Sequence, residues 1–297
     1  MSNQITTAFV NQYRGNVSFL LQQQGSMMRD KVRNVSQSAE FDYHDRIGST
    51  TAVENTSRHG DTPLIHTPHD RRRVSLRDYD WADLIDNKDK IRTLIDPTSP
   101  YAVNASWAIG RAMDDLIIEQ MFADAQTGKT GTGTASYDSA NMRVAINYVE
   151  SGSAADSGLT IGKLRKARTN LREQENLQRD DKWYIGVMPA QMQDLLTTTE
   201  VTSSDFNTVK ALVQGEVNTF MNFTFVEHNR YTTIATDQRR CPYWTHSGML
   251  LAVGQDITAD IGPRRDKRNS VQVYVASSFG GVRMEEGKVG DIICDES

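Results

Sequence analysis

The chain has 297 residues, 38% of them hydrophobic, a mean hydropathy of -0.55 and a formal net charge of -5. It can form one large or two medium domains with a real core, yet its polar composition predicts arms or loops that add little to that core. The acidic balance argues against a dedicated nucleic-acid binder, and the lack of any run of about 18 apolar residues excludes a transmembrane helix. Two cysteines, Cys241 and Cys294, with no Cys-x-x-Cys spacing and no secretory signal, point to free thiols in a reducing compartment.

Residues 1–39 carry Arg14, Arg29, Lys31 and Arg33 against Asp30 alone, a net-basic piece of an acidic protein that can face DNA or a partner weakly. Val17, Leu20, Leu21, Met28, Val32 and Val35 recur at roughly helical intervals broken by Gly25. The pattern predicts an amphipathic arm, with a first helix packed on the core as the alternative. Residues 41–77 then hold Gly48, Gly60, Pro63 and Pro68 among short mixed segments, ending in the basic run Arg71-Arg72-Arg73-Val74-Ser75-Leu76-Arg77. No core helix fits, and so long a connection predicts a projecting hairpin.

Ser99 as N-cap and Pro100 at the first helical position predict the start of a helix that runs without internal proline to about Ala125. Ala105, Ala108, Ile109, Ala112, Met113, Leu116, Ile117 and Phe122 make its apolar stripe, while Asp114, Asp115, Glu119 and Asp124 stand off it. Gly128, Gly131 and Gly133 predict a flexible break, and Gly152 and Gly158 bracket a second surface region. Thr160 caps a helix bearing Leu164, Ala167, Arg168 and Leu171, Trp183–Val187 reads as a buried strand, and Pro189 opens another helix. With Val217–Val226 these make a mixed α/β lobe. From Met249 the period is two: Ile257, Ala259 and Ile261, a tip at Pro263–Asn269, then Val271, Val273 and Val275. Phe279–Met284 marks a bend in the sheet and Val289–Ile293 a last strand.

The stretch Asp78-Tyr-Asp-Trp-Ala-Asp-Leu-Ile-Asp86, continuing to Asp96-Pro-Thr-Ser-Pro-Tyr101 and into the long helix, resembles the region before the spine helix of major capsid proteins of tailed double-stranded DNA bacteriophages. Trp183–Leu196, Gly215–Glu227 and Ser270–Cys294 resemble later blocks of that family in the same order. The resemblance implies an α+β, Hong Kong 97-type capsid fold. Its parts would be an N-terminal arm over 1–40, an extended hairpin loop over 41–80, a P domain over 81–127 and 255–283 with the spine at about 99–125, and an A domain over 128–254 and 284–297. It further implies a homo-oligomer of pentamers and hexamers in an icosahedral shell, weak contact with packaged DNA, a portal and decoration proteins, and a virion protein assembled in the bacterial cytoplasm. Fewer than 45 residues precede the hairpin, which implies a separate scaffolding protein or an already processed chain. Residues 41–77 contain no lysine, so no cross-link from a hairpin lysine is expected.

Site chemistry is sparse. Gly128-Lys129-Thr130 lacks the earlier glycine of a phosphate loop, Ala123 standing in its place. His59, His66 and His69 with Asp61 and Asp70 match no metal-ligand spacing and read as solvated or interfacial. Asp114 and Asp115 project about 100° apart on a helix and make no carboxylate dyad; they read as solvated or paired with neighbouring subunits. There is no Gly-x-Ser-x-Gly elbow and no Cys/His pair, so no enzyme, cofactor or metal is expected. Contacts between subunits are expected at Arg58, Arg71, Arg72, Arg73 and Arg77 of the hairpin and at Arg264, Arg265, Lys267 and Arg268 of the tip, with Arg14, Arg29, Lys31 and Arg33 facing DNA or scaffold. Two alternatives stay open: an encapsulin-like nanocompartment shell enclosing cargo protein, and an oligomeric α/β enzyme.

Overall fold

A computed structural model describes residues 22–56, 58, 60–86, 98–150, 152–174, 181–198 and 218–296, the side chains of 98, 99 and 196–198 excepted. In chain order, a 3-10 turn at Arg29–Lys31 leads to β1 (Arg33–Ser36); β2 (Phe41–Ile47) and β3 (His69–Ser75) form a hairpin, and β4 (Arg77–Ile85) follows. Helix α1 (Thr98–Phe122) precedes the short strands β5 (Ala125–Thr127) and β6 (Gly133–Ala135), the single turn α2 (Ser139–Met142) and β7 (Arg143–Val144). Then come α3 (Ile161–Glu173), β8 (Trp183–Val187) and α4 (Pro189–Thr198), followed by β9 (Thr219–Phe220), β10 (Phe223–Glu227), β11 (Thr233–Ala235) and β12 (Gln238–Thr245). The chain ends with β13 (Met249–Arg264), a 3-10 turn at Arg265–Lys267, β14 (Ser270–Arg283) and β15 (Val289–Asp295). No helix among the described residues is long and apolar enough to cross a membrane.

The residues cluster into two compact units, one of 1–26, 78–113 and 255–278, the other of 27–77, 114–254 and 279–297. In the first, β4 lies beside β14 and β14 beside β13. Ala105, Ile109 and Met113 of α1 are buried at helical spacing, and so are Val273 and Val275 of β14 at the strand period of two. Gly110 is where α1 meets the backbone of 25–26: a Cβ there would lie 2.6 Å from the carbonyl carbon of Gly25.

The second unit is built on a sheet ordered β7-β15-β12-β8-β10-β9, with β11 paired to β12. Trp183, Ile185 and Val187 of β8 share one face with Cys241 and Tyr243 of β12 and Ile292 and Cys294 of β15, and α3 and α4 cover it with Leu164, Ala167, Leu171, Met192 and Leu195. On the opposite face Tyr184 and Trp244 stack with centroids 5.7 Å apart, and Trp244 Nε1 donates to the Lys31 carbonyl at 3.0 Å. A smaller sheet, ordered β2-β3-β5-β6, carries the hairpin. Cys241 and Cys294 are free, buried neighbours with Sγ atoms 3.8 Å apart.

Thr160 caps α3 as its sequence predicts, its hydroxyl accepting from the Lys163 N–H at 3.2 Å. Thr160→Ala is expected to destabilise the unit by about 1 kcal/mol, read as an earlier urea midpoint with unchanged slope.

Several sequence expectations change. The arm pattern over Met28, Val32 and Val35 is no helix: Met28 and Val32 are buried in the body and Arg33–Ser36 pairs in parallel with Leu250–Val253 of β13. Val17, Leu20 and Leu21 lie outside the described residues. Helix α1 stops at Phe122, short of Ala125, because the next residues join a hairpin in which Ala125 pairs with Ala135. The glycine-rich break is that hairpin's turn, with Gly128 and Gly131 at positive φ and the Gly131 N–H donating to the Gly128 carbonyl. β14 continues through Phe279–Arg283 without ending at the expected bend. Gly280 is required there because a Cβ would lie 2.2 Å from the Ser75 carbonyl oxygen.

Candidate assembly surfaces

The hairpin is a highly exposed feature of the second unit. β2 and β3 pair antiparallel from Phe41 opposite Ser75 to Ile47 opposite His69, and the Gly48 N–H closes the base on the Pro68 carbonyl at 2.9 Å. Every described residue from 48 to 68 is exposed, Arg58 among them. Leu64 is 88% exposed, Ile47 70% and Val53 58%, an arrangement that costs free energy unless another surface covers them.

The basic run behaves differently from its sequence reading. Arg72 is fully buried, donates to the Met284 carbonyl and is paired with Glu286, so it is not available to another subunit. Strand pairing explains this: β3 faces its odd and even side chains to opposite sides, and the side holding Arg72 and Val74 is the inner one. Arg71 pairs with Asp45, Arg73 lies 4.9 Å from the centre of the Phe41 ring and donates to Gln126, and Arg77 makes a two-pronged bond to Glu119 at 3.1 Å. All four therefore have partners in their own chain. At the β13–β14 tip Arg264 pairs with Asp266, while Arg265, Lys267 and Arg268 are exposed. Of the N-terminal cations, Arg29 and Lys31 are half-buried and Arg33 is exposed; Arg14 lies outside the described residues.

Asp70 is held by hydrogen bonds within the chain. It accepts from Thr127 Oγ1 at 2.7 Å and from Arg46. Burial alone would raise its pKa, but those hydrogen bonds and the Arg46 charge hold it well below the usual carboxylate range. A depressed folded-state pKa contributes stability that is present above the unfolded value, near pH 4, and is lost as pH falls through the folded one. Asp70→Asn is therefore expected to narrow the gap in urea midpoint between pH 7 and pH 3. Among the described residues no group of three or more His, Cys, Asp or Glu is placed to hold a metal; His59 lies outside them.

Three buried polar centres escaped the sequence reading. Asp114, expected in solvent, is buried and accepts from the Met27 and Met28 N–H groups and lies 3.1 Å from His228 Nε2. Its neighbour Asp115 is half-exposed and pairs with Arg230. Asp291 is buried among Tyr137, Arg143 and Arg240. Arg283 donates to the Met121, Ala123 and Ala135 carbonyls, capping the C-terminus of α1 with a buried cation. These groups fix the scaffold and carry no reactive geometry. The described cavities are a space of about 470 Å³ lined by Trp183, Phe220 and Asn222 and one of about 360 Å³ between Asp45, His69 and Lys129.

A family model described as phage capsid protein matches residues 5–296. The chain belongs to that family. Among solved structures, this capsid protein is similar to the capsid of cyanophage P-SCSP1u, with a TM-score of 0.72 at 15% identity, over 100% of this chain and 97% of that one. It is also similar to the capsid of Ralstonia phage GP4, with a TM-score of 0.70 at 11% identity over 97% and 96% of the two chains, and to that of a native GTA particle, with 0.63 at 13% over 97% and 96%. No curated protein matches it by sequence. The α+β fold is therefore the Hong Kong 97-type capsid fold, and the protein is a structural subunit of the phage head shell. That outcome disfavours the nanocompartment and enzyme alternatives.

Proposed function

We propose that the subunit closes into an icosahedral shell of pentamers and hexamers around double-stranded DNA and has no enzymatic activity. What supports this most is the exposed hairpin on a chain that matches the capsid family from end to end of its fold. Its apolar side chains find their cover on neighbouring copies, through heterologous contacts that are modest singly and strong when repeated. In this reading 1–40 is the arm, 41–80 the extended loop, 81–127 with 255–283 the P domain, and 128–254 with 284–297 the A domain. Arg58, Arg71, Arg73 and Arg77 belong to the loop's contacts. Arg14, Arg29, Lys31 and Arg33 face DNA or a separate scaffolding protein, and a portal and decoration proteins complete a particle built in the host cytoplasm. Negative-stain microscopy of the recombinant chain, alone and with a candidate scaffold, tests the reading. Closed particles that release nuclease-protected DNA when made in infected cells support it; solitary subunits under all these conditions refute it.

A further inference from the structure

Within the first unit β4 ends the strand order, so among the described residues its outer side is a sheet edge. Such edges invite another chain unless they are charged or covered. This one is acidic. Asp78, Asp80 and Asp83 are all exposed, Asp78 accepts from the Ser278 hydroxyl and Asp80 from the Tyr274 hydroxyl at 2.6 Å, and Asp83 accepts from the next backbone N–H. Among the described residues no cation is paired with these three carboxylates. Several other surface carboxylates are paired with arginine, as in Asp45 with Arg71, Asp115 with Arg230 and Glu150 with Arg165.

The same unit carries the complementary set. Of the tip cations only Arg264 has a carboxylate partner; Arg265, Lys267 and Arg268 are exposed and none is paired within the chain among the described residues. Arg268 and Asn269 both sit at positive φ, 53° and 59°. A long side chain in that region is strained where glycine would not be, so the turn holds its Arg268 side chain against a backbone cost.

We propose that the tip Arg264–Arg268 of one subunit docks on the acidic outer edge of β4 of a second copy, pairing Arg265, Lys267 and Arg268 with Asp78, Asp80 and Asp83. The inference rests on the shell reading, since it needs many copies held side by side. Tip and edge are different patches, so the contact is head-to-tail and closes only around a ring or shell. Surface pairs of this kind are weak singly and screened by salt, which makes the contact ionic-strength dependent.

A charge exchange tests it. R265E/K267E/R268E and D78K/D80K/D83K are each expected to leave melting of the subunit near wild type and to cut shell yield at least tenfold, and the six-fold combination to restore most of it. In wild-type shells a zero-length carbodiimide is expected to join Lys267 to Asp80 or Asp83 of another copy, read by mass spectrometry of mixed isotopically labelled subunits. Should the β4 variant not fold, the tip variant and the cross-link decide. A folded tip variant that assembles like wild type at every salt concentration overturns the contact, as does a folded exchange variant that recovers nothing. Failure of the wild type itself to form particles overturns the shell reading and this contact with it; wild-type shells beside an unaffected tip variant overturn the contact alone.

Discussion

Asp291→Ala is expected to lower the melting temperature of the unassembled subunit by roughly 10 °C. Asp291 lies on β15, fully buried, opposite Arg143 of β7. One carboxylate oxygen accepts from the Tyr137 hydroxyl at 2.7 Å, and Arg143 holds the group with Nε and Nη2 at 3.0–3.2 Å. Arg240 Nε stands 3.0 Å from the second oxygen as an ion pair without hydrogen-bond geometry, its guanidinium 4.0 Å from the centre of the Phe122 ring. Burial pushes the Arg240 pKa down, while the hydrogen bond to Asp291 pushes that of Arg143 up. Neither arginine can shed its proton near neutral pH. Removing the carboxylate therefore strands two guanidinium charges and a phenol, and breaking a buried pair in this way costs about 3–5 kcal/mol. At 2–4 °C per kcal/mol for a chain of this size, that is on the order of 10 °C. Asp291→Asn, which keeps an acceptor but no charge, should fall between. Calorimetry on dilute subunits reads the shift; a change under about 2 °C for alanine would mean that water reaches the arginines and the centre is not dry.

What the sequence makes legible is what local physics determines. The α1 helix shows itself through Pro100 and an apolar stripe, α3 through Thr160 and β8 through an apolar run; α3 and β8 lie where those signals put them, while α1 spans Thr98–Phe122 instead of about 99–125. Where local signals mislead, the deciding partner is far along the chain. No helix breaker stands near Ala125; α1 ends where Ala125 pairs with Ala135, and the carbonyls of Met121 and Ala123 are taken by Arg283, about 160 residues later. Asp114 looks solvated because it stands off the stripe, yet its donors at Met27, Met28 and His228 lie 86–114 positions away. The same holds for the surfaces. A run of arginines on a projecting hairpin reads as a surface for partners, and only the pairing of β2 with β3 and the approach of Glu286 show that Arg72 is turned inward. The tip is legible because turns of charged residues between alternating strands are local; that Arg265, Lys267 and Arg268 lack a carboxylate partner among the described residues is not, since that depends on where distant carboxylates lie.

Replacing residues 49–67 with Asn-Gly is expected to leave a folded subunit that makes no shells. The cut is set by geometry. The Gly48 N–H already donates to the Pro68 carbonyl across the hairpin at 2.9 Å, so a short glycine-containing link can join them while Ile47 keeps its pairing with His69 and the sheet register is preserved. The described residues among those excised are exposed and none belongs to the buried clusters around Trp183 and Val74, so melting should move by no more than about 2 °C. Assembly should suffer far more. Covering Val53, Leu64 and Ile65, which are 58%, 88% and 47% exposed, on a neighbour is worth about 1–3 kcal/mol for each side chain fully buried, and every subunit in the shell would lose that term. Thermal melting together with negative-stain particle counts separates the two effects. Shells of normal yield and heat resistance from the shortened chain would mean that the hairpin does not bridge subunits, and the cohesion of the particle would have to come from the tip and sheet edges instead.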